Sequence, residues 1–305
     1  MHSQLDYVYF LYGLGFILVA VVCQAVARLD RQPCPPWRWL TRFGFVHGAY
    51  EWLDMLALSL GDCPMFRAGR LVVMAVSYLC LLEFGRQGEL AAGRRAPGRW
   101  ILAVLLGLSA LGWLAGPAGL NAACRYGLGF PGALWSARAL WLHRRARHPG
   151  SRPLLLAAAA LAGYALFAGL VTPRAGFFPN TWLNTDSFLS LFGFPVQFVR
   201  AALAVLLALG LWRHGLEIEA PLLRREMARW RRSEVVMSLV LLVLLGLGWL
   251  GTQLTGRAAE QDHREDLDQV ASLGAAAINP RRVLGLDGSP LDLLSPDYVR
   301  LKVQL

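Results

Sequence analysis

Apolar runs of about 20 residues recur along most of the chain, parted by short arginine-rich connections, and each run is long enough to cross a ~30 Å hydrocarbon layer as a helix. Eight such segments are read, at about Tyr7–Ala27, Trp37–Leu60, Met65–Phe84, Trp100–Leu120, Gly129–Leu142, Pro153–Val171, Phe188–Trp212 and Val235–Leu254. The fifth has the shortest apolar core and carries Arg138 inside it. The pattern changes near Gly256. Beyond it Leu267, Val270, Ala271, Gly274, Ala277 and Ile278 recur at three- and four-residue spacing, which predicts an amphipathic helix continuing from the last span. Asn279-Pro280 then breaks that helix, Asp287-Gly288-Ser289-Pro290 marks a turn, and Tyr298, Leu301 and Leu305 suggest a last short helix. The expected architecture is an all-α polytopic membrane bundle of about eight helices over residues 1–256, followed at 257–305 by the opening of a soluble domain. That tail has too few large apolar groups to bury a core of its own, and reads as a domain cut short.

Charge adds an orientation. Of the 305 residues 56% are hydrophobic and 16% charged, and the net charge is +10. In a soluble chain that excess would raise the question of nucleic acid, but its distribution answers otherwise. Arginines crowd the connections after the first, third, fifth and seventh segments, whereas the opposite connections hold only Arg67, Arg70, Arg125 and Arg174. By the positive-inside rule the rich connections are cytoplasmic, and the N-terminus and tail lie outside. The tail carries eight acidic against six basic side chains, so the excess belongs to the membrane part. Although Ala25-Val26-Ala27 looks like a signal-peptidase site, no Lys or Arg precedes the first segment and arginines follow it at once, so a retained helix is expected. Seven tryptophans (37, 39, 100, 141, 182, 212 and 230) fall near segment ends, as an interfacial aromatic belt would.

Candidate chemistry concentrates in the second segment. His47, Glu51 and Asp54 stand at i, i+4 and i+7, which puts all three on one helical face. Ionisable groups at membrane depth are costly and face a bundle interior or a wet cavity, which makes them a site hypothesis. Arg200, in the seventh segment, lies at a depth similar to Glu51 and is the expected partner of its carboxylate. Three readings stay open: a structural interhelical network, a ligand- or proton-sensing pocket centred on His47, and a metal site. The third is disfavoured, because one imidazole and two carboxylates on one helix lack the ligand spacing of a zinc site. No HExxH, P-loop or GxSxG motif occurs, so no catalytic, metal-binding or cofactor-binding residue is assigned. Glu83 is expected to be hydrated or paired with an inner-side arginine. The stretch Leu222–Arg232 sets apolar against arginine faces, suited to fixing topology or gripping anionic lipid.

The outer connection Thr172–Phe188 is rich in Phe177, Phe178, Asn180, Trp182, Asn184 and Asp186, and Gln197 follows it. Such a loop could cap the bundle at the interface or line a ligand mouth. Five cysteines form no CxxC. Cys63 and Cys124 both fall in outer connections, where an oxidising compartment would permit a disulfide.

Three stretches together carry a resemblance. Phe43-Gly44-Phe45-Val46-His47-Gly48-Ala49-Tyr50-Glu51-Trp52 resembles the FGxxHGxxEW segment in the multi-span N-terminal region of bacterial sensor histidine kinases. Phe177-Phe178-Pro179, Leu183-Asn184 and Gly193-Phe194-Pro195-Val196-Gln197 with Arg200 resemble a second segment of that region. The tail from Ile278-Asn279-Pro280 through Leu301-Lys302 is similar to the start of an extracytoplasmic PAS-like, Cache-type α+β sensor domain. The resemblance implies an inner-membrane input region working as a homodimer, whose PAS and kinase modules are absent from these residues. Its partners would be the lipid bilayer and an unidentified stimulus, with no nucleic acid. A transporter using the same intramembrane polar cluster is the alternative.

Overall fold

The computed structural model describes residues 2–30, 35–147 and 150–223, together with parts of 243–304. The described residues are helical, with one isolated β-bridge, Thr172 to Asn184, and no strand. Two units separate at Gly248. In the first, α1 spans His2–Leu29, α2 Trp37–Leu60, α3 Pro64–Ala91, α4 Trp100–Ala110, α5 Gly116–Cys124, α6 Phe130–Arg147, α7 Arg152–Tyr164, α8 Thr185–Phe192 and α9 Val196–Leu223. In the second, a 3₁₀ turn at Pro290–Leu294 leads into α10, Pro296–Gln304.

Among the described residues five helical runs are long and apolar enough to cross a membrane: Asp6–Leu29, Pro64–Ala91, Trp100–Ala146, Arg152–Leu170 and Val196–Glu219. That composition suggests a membrane protein, and the fold of the described residues is all-α. It does not reproduce the eight expected segments. The second, α2, has the length, but Arg38, Arg42, Glu51 and Asp54 make it too polar to qualify. The fourth and fifth lie in one unbroken run that doubles back. A 3₁₀ turn at Leu111–Ala115 ends at Gly116, whose φ of +76° suits glycine. Gly112 lies against Gly119, and Gly127 against Ser109, so α4 and α5 run antiparallel and the turn falls inside the expected fourth segment. The seventh is also divided. Gly193 closes α8 in the left-handed region, and Pro195 precedes the restart at Val196. The eighth, the stretch Leu222–Arg232 and Cys34 lie wholly or largely outside the described residues.

Packing joins α1, α2, α3, α6, α7 and α9 in a closed ring, each helix touching the next and α9 returning to α1, while the α4–α5 hairpin sits against α3. One close approach positions the site. A Cβ on Gly44 would lie 2.6 Å from the Phe16 carbonyl oxygen and 2.8 Å from the Ala20 nitrogen. Glycine there brings α1 and α2 together backbone to backbone, which seats Tyr12 and Phe16 beside His47. Those rings, with Phe43, Tyr50 and Tyr78, are buried in the core.

Two π segments interrupt the ring, at Arg125–Gly129 between α5 and α6 and at Ala165–Leu170 after α7. Wider helical turns of this kind shift the backbone register and release carbonyl groups from their usual partners. Two buried arginines serve three carbonyls at and just after the second of these segments. Arg125 donates to the Ala168 oxygen at 3.1 Å, and Arg200 donates to the Phe167 oxygen at 3.0 Å and to that of Val171.

Candidate functional site

His47 is fully buried where four helices converge. On α3, the Ser77 hydroxyl donates to the Met74 carbonyl at 2.6 Å, so its oxygen is left to accept from His47 Nδ1, 2.9 Å away. That places a proton on Nδ1 and a lone pair on Nε2. On α7, the Tyr164 hydroxyl reaches Nε2 at 2.6 Å and donates to it. The Tyr12 hydroxyl of α1 in turn donates to that of Tyr164 at 3.2 Å. The bonds therefore run in one direction from α1 through α7 and α2 to α3, around a neutral imidazole. Phe16 meets the imidazole edge-on at 4.6 Å between centroids, and Phe43 stacks at 5.1 Å.

Glu51 departs from this order. Its Oε1 lies 3.3 Å from His47 Nε2, both side chains are almost wholly buried, and this oxygen has no hydrogen-bond partner. With Glu51 ionised, two acceptors face each other here, and one added proton would make the contact attractive. The proton could sit on the carboxyl, donating to Nε2, or on Nε2, forming an ion pair. In either position Tyr164 would lose sole use of Nε2.

A second layer holds this centre. The buried Arg125 donates to the hydroxyls of Tyr78 and Tyr50, each at 3.2 Å, and to Asn121 Oδ1 at 2.9 Å. Its guanidinium is thus held by phenols, an amide and a carbonyl, and ties the hairpin to two rings that border His47.

Of the four residues expected to cluster, His47 and Glu51 meet and the other two are committed elsewhere. The expected Glu51–Arg200 pair is not formed, because the carbonyls released at the end of the π segment take the Arg200 guanidinium. Asp54, a turn nearer the α2 terminus, pairs with Arg70, which also holds Asp62 at 2.7 Å. Among the described residues no group of three or more His, Cys, Asp or Glu is arranged to hold a metal ion. Cys63 and Cys124 are both free thiols: Cys63 is exposed beside the start of α3 and Cys124 is buried at the end of α5, so the disulfide is not made. Glu83 accepts from Arg86 at 2.6 and 2.7 Å.

The Thr172–Phe188 connection is held by its asparagines. Asn184 Oδ1 accepts from the Asp186 and Ser187 amides at 3.0 and 2.9 Å, closing the N-terminus of α8. Gln197 donates to the Tyr9 hydroxyl at 2.9 Å. Phe178 is exposed and meets Trp182 edge to face at 6.3 Å.

Sequence reasoning misses Tyr12, Ser77 and Tyr164, because a lone hydroxyl in an apolar helix gives no periodic signal. Arg125 stands out as an isolated charge, but hydropathy puts it in a connection. A further buried group is equally silent in the sequence: Trp37 donates to Asp30 at 3.2 Å, His143 lies 3.9 Å from the same carboxylate, and the His143 and His214 rings stand 6.0 Å apart. No family model, curated protein or solved structure matches the chain.

Proposed function

We propose that this chain is the membrane-embedded input region of a signal-transduction protein, and that the His47 centre is its two-state element. The observation that carries this reading is the position of Nε2 between the Tyr164 hydroxyl and the unpartnered Glu51 oxygen, at 2.6 and 3.3 Å. A switch needs two arrangements of comparable energy that a stimulus can tell apart. Here the two differ by one proton or one hydroxyl rotation: one ties α7 to α2 through Tyr164, and the other closes a contact within α2 and frees the α7 hydroxyl. A stimulus that favours one set of bonds therefore changes how α1, α2 and α7 pack. The resemblance to the input regions of sensor histidine kinases supports the same reading, with the helices in a bacterial inner membrane, the tail outside as the start of a sensor domain, and a homodimer as the working unit.

The test compares transcript profiles of the host carrying the native gene, a deletion, and His47→Gln. A discrete set of genes changed alike by the deletion and by the substitution, with the variant still present in the membrane, supports the input-region reading. Unchanged transcription accompanied by a lost solute uptake would replace it with a transporter.

A further inference from the structure

Away from the His47 centre, α7 and α9 cross in direct backbone contact: a Cβ on Gly210 would lie 2.9 Å from both the Pro153 oxygen and the Ala157 nitrogen. Beside this crossing lies a groove of about 860 Å³. Leu156, Leu209 and Leu216 give it an apolar wall, and Arg152, Arg213 and Glu217 a charged end. The charged end coincides with the N-terminus of α7, where Ser151 Oγ accepts from the Leu154 amide and donates to Glu217 Oε2 at 2.6 Å. Both arginines are exposed, and the adjacent Trp212 is 46% exposed. On the neighbouring helix α6, Arg145 lies over the Trp141 ring at 5.4 Å. Tryptophan beside arginine at helix ends is the composition of a headgroup plane.

We propose that this groove binds one anionic phospholipid, its phosphodiester held between Arg152 and Arg213 and an acyl chain laid over Leu156 and Leu209. The charges favour that occupant. Two guanidinium groups face one carboxylate already engaged by Ser151, so the end of the groove is one positive charge in excess. A helix N-terminus adds a favourable field for an anion. Guanidinium groups present paired donors to phosphate oxygens, and basic pockets between spanning helices on the cytoplasmic side suit lipid headgroups. A free phosphate would use the same cations but leave the leucine wall uncovered.

The chain, purified in mild detergent and given equal amounts of phosphatidylglycerol and phosphatidylethanolamine, is examined by native mass spectrometry. The expected result is one retained phosphatidylglycerol, reduced roughly tenfold in the Arg152→Gln/Arg213→Gln variant by loss of both charged contacts. Retention should be unchanged in Arg94→Gln/Arg95→Gln, which removes two exposed arginines elsewhere. Arg152→Lys/Arg213→Lys, which keeps the charge, should hold the lipid in part, so the result does not hang on the folding of the glutamine variant. Equal retention in the native chain and the double glutamine variant, preference for phosphatidylethanolamine, or displacement of the lipid by inorganic phosphate would each overturn the assignment.

Discussion

The hydroxyl of Tyr164 points at Nε2 of His47 across 2.6 Å, joining α7 to α2 through one proton at the centre of the ring. Two satisfied groups depend on that hydroxyl: the imidazole lone pair it donates to, and the Tyr12 hydroxyl it accepts from. Tyr164→Phe keeps the ring packing and removes both links. Leaving buried polar groups unmade costs about 1–3 kcal/mol, so thermal unfolding in detergent should move to a lower temperature by an amount equivalent to roughly that loss. His47→Phe in the Tyr164→Phe background should cost less than it does in the native chain, because the bond it would break is already gone. Equal losses in the two backgrounds would show that the hydroxyl and the imidazole act independently.

Glu51 and Arg200 test how charge is placed. Because Arg200 serves the Phe167 and Val171 carbonyls, Arg200→Gln should destabilise by about 2–3 kcal/mol, as when a charged donor is withdrawn from buried acceptors. Glu51→Gln keeps the shape of its side chain and supplies an amide that can donate to Nε2, so it should be tolerated. A double-mutant cycle between these substitutions should give a coupling under about 0.5 kcal/mol, the range for sites that share no partner. The charge-swapped pair Glu51→Arg/Arg200→Glu should unfold more readily than either Gln variant. Rescue by the swap would show instead that the two charges form a pair.

How far the sequence discloses this molecule depends on which interaction is asked about. Hydropathy places most of the helices, since burial of apolar surface is written in composition and length: α1, His2–Leu29, contains the expected Tyr7–Ala27. It fails where a helix turns without leaving an apolar stretch, as at Gly116, because a tight turn within such a run needs only a residue that tolerates positive φ. The i, i+4 spacing brings His47 and Glu51 together, a relation internal to one helix and fixed by its geometry. The partner of Arg200 lies on another helix, and its choice was decided by carbonyls that a π segment released; no side chain announces those in advance. Tyr12, Ser77 and Tyr164 are single hydroxyls on three helices, and only the packing of the ring brings them to one imidazole.

Glycine contacts give a sharper test of that packing. With a Cβ placed 2.6 Å from the Phe16 oxygen, Gly44→Ala forces α1 and α2 apart, and backbone atoms cannot rotate away as a flexible side chain would. Overpacking of this kind costs about 1–3 kcal/mol. Gly69, also helical, has no atom within 4 Å of its added Cβ, and Gly69→Ala should stabilise by about 0.5–1 kcal/mol through the lower entropy of the unfolded chain. Chemical unfolding midpoints of the two variants should therefore shift in opposite directions. Shifts of the same sign would mean that the α1–α2 crossing is looser than this contact implies.

Acid sensitivity should enter through the connection between α2 and α3. Partial burial of Asp62 pushes its carboxyl upward, but hydrogen bonds and charge from Arg67 and Arg70 outweigh that effect and hold it below the ordinary value. A carboxylate whose folded-state value is depressed contributes stability at pH values above its unfolded-state value of about 4, and that contribution fades as pH falls through the folded-state value. The Arg67 contact, at 2.7 Å with that side chain 45% exposed, is screened by solvent, so the whole contribution should stay under about 1 kcal/mol. Asp62→Asn should accordingly lower the unfolding temperature slightly at pH 7, and the difference should shrink as pH falls below about 4 and vanish once the native carboxylate is itself protonated. Raising salt at pH 7 should narrow the gap between the two chains, since the connection is open to water. A gap that persists unchanged into strong acid would assign the effect of the substitution to lost hydrogen-bond geometry rather than to charge.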